Sequence, residues 1–167
     1  TISSLGTGSP SGSVMDAIFG IDGSLYVAGG ENMGGVAAAD YIGKWSGTAW
    51  SALGSGFNAS CLALAADNSG NIYAGGTFAS SGATTLNGIG KWNGTAWSAL
   101  GSGTVGVTGT VSSLACLPDN RIVLAGSYSG AGGTAGLDYL SVYDPSTNAF
   151  SALGSAPNAQ VSKVLYN

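Results

Sequence analysis

The stretch YIGKWSGTAWSALGSG, at positions 41–56, returns almost letter for letter as GIGKWNGTAWSALGSG at 88–103. A looser copy, YLSVYDPSTNAFSALGSA, fills 139–156, and the tail alone, ISSLGTG, stands at 2–8. Near-identical stretches in one chain must adopt near-identical local structures. A single unit of this size cannot bury its own apolar face, so the core has to come from stacking units on one another.

Each copy turns at its centre. Ser46-Gly47 and Asn93-Gly94 are flanked by alternating residues. Asn-Gly is the strongest short-range hairpin signal, because both central positions of a type I′ turn need positive φ. A two-residue loop predicts that Trp45 faces Thr48 across the turn, Gly43 faces Trp50 and Tyr41 faces Ala52. Trp45 and Trp50 then lie diagonally on one face, within reach of each other. Trp92 and Trp97 repeat this in the second copy. Tyr143 and Phe150 take their places in the third, across a loop, Asp144 to Asn148, that is two residues longer and uses Pro and Asn. These six aromatics are the candidate contact residues for a ligand or partner. They have two readings: packing between sheets, the usual meaning of a faithfully recurring structure, and flat platforms for sugar rings.

Two further strand-like runs precede each hairpin. In the first cycle they are Val14 to Ile21 and Ser24 to Gly30, joined by a tight Asp22-Gly23 turn. In the second they are Ser60 to Ala66 and Ile72 to Phe78, and in the third Val111 to Leu117 and Arg121 to Ser127. A Gly/Ala-rich excursion then leads into the hairpin. Gly29-Gly30 and Gly75-Gly76 end second strands, where a missing Cβ permits a bulge or a close backbone approach. The period is 47 residues from Trp45 to Trp92 and 51 from Trp92 to Tyr143. Four short strands per cycle at this spacing predict an all-β, propeller-like array of four-stranded antiparallel blades in one domain over 1–167. The complete blades fall at about 14–56, 60–103 and 111–156, with partial strands at 1–8 and 159–167. Three blades cannot close a ring, whose usual range is about four to eight. The ring is therefore expected to be completed by a longer parent chain or by other copies; the alternative is an open arc whose ends a partner covers.

Composition narrows the function. Charged residues make up 7% and the net charge is −4, with Lys44, Lys91, Arg121 and Lys163 the only basic residues. Phosphate-directed binding of nucleic acid needs clustered Lys and Arg, so no nucleic-acid partner is expected. The chain has no His, which excludes a His-based triad and His-ligated zinc. No run is long enough to span a bilayer as a helix, and no signal peptide is recognisable. Asp67-Asn68-Ser69-Gly70-Asn71 is rich in oxygen but too short for an EF-hand loop, and it lacks the terminal Glu. It reads as a turn, and no metal or other cofactor is expected. Asp16 and Glu31 are acidic, with nothing to pair them as acid and base, so no catalytic residue is assigned. Lys44 and Lys91 are equivalent, and their stems are expected to cover apolar surface. Matching Asp67 to Asp119 aligns Cys61 with Ser113 and Cys116 with Leu64. That puts the two cysteines on opposite faces, as small buried hydrophobes without a bond between them.

An apolar strand, IYAGGTF, a Gly/Ala loop and GIGKWNGTAWSALGSG together resemble the kelch-like or galactose-oxidase-like β-propeller repeats of large secreted, viral or cell-surface proteins. They are also similar to repeats in fungal cortical polarity-marker ectodomains. The resemblance runs from Ile2 to Val164. It implies an extracellular or particle-surface scaffold within a longer polypeptide. The copper chemistry of the family's enzymes does not carry over, because the His ligands are missing. The expectation is a non-enzymatic structural or interaction module, an adhesin, fibre or appendage component whose partners are other protein chains. The alternative is a lectin-like module that binds surface glycans.

Overall fold

The computed structural model describes residues 11–101, 106–155 and 157–166. The expected strand at 1–8 lies outside them. The first unit contains β1 (Ser11–Phe19), β2 (Leu25–Glu31), β3 (Ile42–Trp45) and β4 (Trp50–Ala52). The second contains β5 (Cys61–Ala66), β6 (Ile72–Gly76), the short pair β7 (Ser80–Ser81) and β8 (Thr84–Thr85), β9 (Ile89–Trp92) and β10 (Trp97–Ser98). The third contains β11 (Thr108–Cys116), β12 (Ile122–Ser129), β13 (Leu140–Asp144) and β14 (Ala149–Ala152). Each unit makes one four-stranded antiparallel sheet in simple up-and-down order, and β7–β8 is a separate two-stranded hairpin. Among the described residues the sheets do not close into a ring. No described helix is long and apolar enough to cross a membrane.

The register shows why the glycines at the end of the second strand recur. Each first strand carries a bulge, between Val14 and Asp16, Cys61 and Ala63, and Val111 and Ser113. Facing the start of each bulge stand Gly29, Gly76 and Gly126. A Cβ on any of them would overlap a backbone carbonyl oxygen, that of Ser13, Ser60 or Thr110 respectively. The extra bulge residue pushes that carbonyl inward, and only a residue without a side chain leaves room for it.

The same register corrects two expectations. Trp45 pairs directly with Trp50, Lys44 with Ser51 and Gly43 with Ala52; Trp92 likewise pairs with Trp97. The turn is therefore centred one residue later than a two-residue Ser46-Gly47 loop. Its closing bond runs from the Ser46 amide to the Ala49 carbonyl, 3.0 Å, and in the second unit from Asn93 to Ala96, 3.3 Å. The side chain of residue 46 or 93 is responsible. Ser46 Oγ accepts from the Thr48 and Ala49 amides, and Asn93 Oδ1 from those of Thr95 and Ala96. A side-chain cap of this kind replaces the second positive-φ residue that a type I′ turn would need.

The second correction concerns the turn between the first two strands. Gly20, Asp67 and Leu117 make the same backbone bonds, and positive φ falls on Gly23, Gly70 and Asn120. Asp22 and Asp119 therefore correspond to Ser69, not to Asp67. Cys61 then matches Val14 and Val111, while Cys116 matches Phe19 and Ala66. Both cysteines are free, Cys61 fully buried and Cys116 half-buried. Burial pushes both thiols up, that of the fully buried Cys61 far above the usual range, which disfavours the reactive thiolate.

The core lies between sheets. Ile42, Leu53, Phe57, Leu64, Ile72 and Trp97 belong to the cluster that joins the first unit to the second. Tyr73, Ile89, Leu100, Leu114, Ile122 and Tyr143 belong to the one that joins the second to the third. The aromatic pairs of the second and third units thus face the unit before them.

Candidate functional site

The structure places the six aromatics in three pairs. Ring centroids are 5.6 Å apart for Trp45–Trp50, 5.5 Å for Trp92–Trp97 and 5.1 Å for Tyr143–Phe150, all tilted by about the same angle. Their surroundings differ. Trp92 and Trp97 are 7% and 6% exposed, and neither ring keeps an open face for a sugar. Trp97 meets Phe57 of the first unit at 4.7 Å, and its indole N–H donates to the Leu53 carbonyl at 2.8 Å. Trp45 and Trp50 are half-buried; Trp50 packs beside Leu25, Val27 and Met33 within the first unit, and Trp45 pairs with Leu25 across the sheet.

The third unit reaches the same end by another route. Tyr143 is buried and Phe150 half-buried against the second unit. Phe150 has no N–H to offer the preceding tail. Asn148, carried forward by the longer loop, takes over: its amide nitrogen donates to the Gly101 carbonyl at 2.9 Å, and its oxygen accepts from the Gly101 amide at 3.1 Å. The Tyr143 hydroxyl donates to the same oxygen at 2.7 Å and holds it in place. Asn148 adopts a φ of 53°, which Asn tolerates better than most residues. Nothing in the sequence marks Asn148 as a contact residue, because its partner is 47 positions away.

A second contact recurs near the first strands. Asp16 Oδ2 accepts the Leu64 amide at 2.8 Å. At the equivalent place in the third unit, Ser113 Oγ accepts the Val164 amide at 3.2 Å and donates to the Val164 carbonyl at 3.3 Å. Asp and Ser share only the capacity to accept, so letter matching cannot find this pair. It places Val164 beside the third unit as Leu64 stands beside the first. Residues 157–166 thus lie where a fourth first strand would stand, but they form no strand: the partial strand expected at 159–167 is not present among the described residues. Ile18, Leu64, Ala66, Leu114, Cys116 and Leu165 line one open groove where these strands meet. No carboxylate lines that groove among the described residues.

The acidic residues serve turns and contacts. Asp67 Oδ1 accepts the Ser69 and Asn71 amides, and Oδ2 accepts from the Asn71 side chain and the Tyr73 hydroxyl. Glu31 accepts from the Tyr41 hydroxyl at 2.8 Å. Asp16 and Glu31 therefore work in separate contacts. Lys44 and Lys91 are equivalent, and each ammonium lies over a tyrosine ring, 5.4 Å from Tyr26 and 6.0 Å from Tyr73. Lys44 also bonds Asp22 at 2.7 Å. That hydrogen bond, helped by the Ser24 amide, holds the Asp22 carboxyl down at about 2, from an ordinary 3.8. A lowered folded-state pKa adds stability that is present above the unfolded value and lost as pH falls through the folded one. Since the pair is partly exposed, its worth is under about 1 kcal/mol. The replacement Lys44→Met is expected to move the Asp22 titration midpoint back toward 3.8, as read from its carboxyl carbon shift by NMR. An unmoved midpoint would show that the turn alone sets it.

No metal-holding cluster of His, Cys, Asp and Glu occurs among the described residues. The feature with the clearest functional geometry is the contact between units. No family model matches this chain, and no curated protein matches it.

Proposed function

We propose that the three sheets are blades of a β-propeller-like array, and that the chain is a non-enzymatic structural and interaction module of a cell or virion surface, such as an adhesin, fibre or appendage component. One observation carries the assembly part of this reading. Leu53 and Leu100 end the tails of the first two units and are 1% and 0% exposed, sealed by the unit that follows. Leu153, at the same place in the third unit, is 46% exposed. Exposed apolar surface at the end of a stack asks for a further unit or partner. The Gly/Ser/Thr/Ala bias and the 7% charged residues suit an extracellular scaffold of tight turns.

Light scattering over a dilution series tests this. Masses above the 16.2 kDa of one chain are expected, falling on dilution, and Leu153→Glu is expected to return the chain to a single mass. A strictly monomeric chain at every concentration would rule out assembly through this face.

A further inference from the structure

Residues 157–166 are the least explained part of the molecule. They sit where a first strand belongs, yet no described strand pairs with them. In the second unit, the Leu64 amide points away from β6 to Asp16. The Val164 amide, its counterpart, points to Ser113. The edge that in β5 faces β6 must then face away from Ser113 in this segment. Val161 and Val164 are half-buried there, while Ser162, Lys163, Leu165 and Tyr166 are exposed, so the backbone edge is within reach of a partner. Free strand edges template pairing.

From this geometry we infer that residues 157–166 form an acceptor strand, and that its partner is a β-strand of this chain's own second-strand type, with a glycine opposite Val161. The proposal rests on the repeat-array reading above and names the partner that the array takes at this end. The glycine requirement follows from the three observed pairs. Val14, Cys61 and Val111 each face a glycine, because the carbonyl before the bulge occupies the space of a Cβ. Val161 corresponds to these residues, and Gln160 to Ser13, Ser60 and Thr110. Any larger residue opposite Val161 would meet the Gln160 carbonyl in the same way. A partner strand of the form Ile-Tyr-Ala-Gly-Gly, as at 72–76, has the required glycine at its end and apolar or small residues for both faces.

The test uses the full chain, extended at its C-terminus by a short Gly/Ser linker and a second copy of residues 71–92. Tethering keeps the added strand at millimolar effective concentration. Amide exchange at 161–166 is expected to slow by about tenfold or more relative to the unextended chain. The same extension with Gly76→Val in the added copy is expected to leave exchange unchanged. The native protein sequence stays intact in both, so misfolding of the variant cannot mimic the result. Unchanged exchange with the native extension would overturn the proposal, as would equal slowing with the valine version. Mass and shape of the extended chain, from light and small-angle X-ray scattering, report separately on the array. Slowed exchange in a straight, monomeric particle would uphold the acceptor strand and sink the ring-forming reading.

Discussion

Replacing Trp97 by Ala is expected to cost about 4 kcal/mol of folding stability, near the upper end for removing a buried aromatic. Three contacts disappear together. The indole is 6% exposed, so its removal leaves a cavity between the units. It also packs against Phe57 at 4.7 Å and Trp92 at 5.5 Å. Its N–H donates to the Leu53 carbonyl at 2.8 Å, and without it that carbonyl keeps only the longer bond from the Gly56 amide, 3.3 Å. Because the ring joins two units, the variant should also lose cooperativity. Urea unfolding is expected to broaden, with a lower apparent m-value, as the first unit uncouples from the others. The equivalent change at Trp50 is expected to cost about half as much, since that ring is half-buried. Equal losses at the two positions would mean that burial between units is not what holds the array together.

Gly126→Ala is expected to destabilise by about 3 kcal/mol or more, a large effect for one added methyl group. The new Cβ would overlap the Thr110 carbonyl oxygen and lie 3.1 Å from the Ser112 amide nitrogen. Both belong to the backbone of the bulge, which cannot yield by rotating a side chain. Gly136→Ala makes the control. Gly136 has a φ of 81°, and a methyl group there would meet nothing within 4 Å, so only backbone strain of about 1 kcal/mol is expected. Thermal unfolding of the two variants separates them. A Gly126 variant no less stable than the Gly136 variant would show that the bulge can relax.

Much of the architecture is legible in the letters. The first and second strands of every unit fall within a few residues of the runs read from apolar content and turn residues. One four-stranded antiparallel sheet in each of three units also holds, with the extra β7–β8 hairpin in the second unit unforeseen. The aromatic pairs do share a face, and the glycines at 29 and 76 do mark a bulge. These features depend on local chemistry: alternation, missing Cβ atoms and turn-forming side chains. A repeat states each of them more than once, which is why they can be read.

What escapes the sequence depends on partners far along the chain or on competition between hydrogen bonds. The hairpin turn is shifted by one residue because Ser46 and Asn93 cap it with their own side chains. Letter matching pairs Asp67 with Asp119, although the Asp67 carboxylate reaches the turn from two residues earlier. Asn148 replaces an indole N–H, and Ser113 replaces a carboxylate, across gaps of 47 and 51 residues. In both replacements the function kept is a donor or acceptor at one point in space, which residues of different shape can supply. Sequence periodicity therefore determined the units and their order, because each unit is built from short-range chemistry. Only the tertiary structure decided how one unit grips the next, because that grip repeats in geometry and not in residue type.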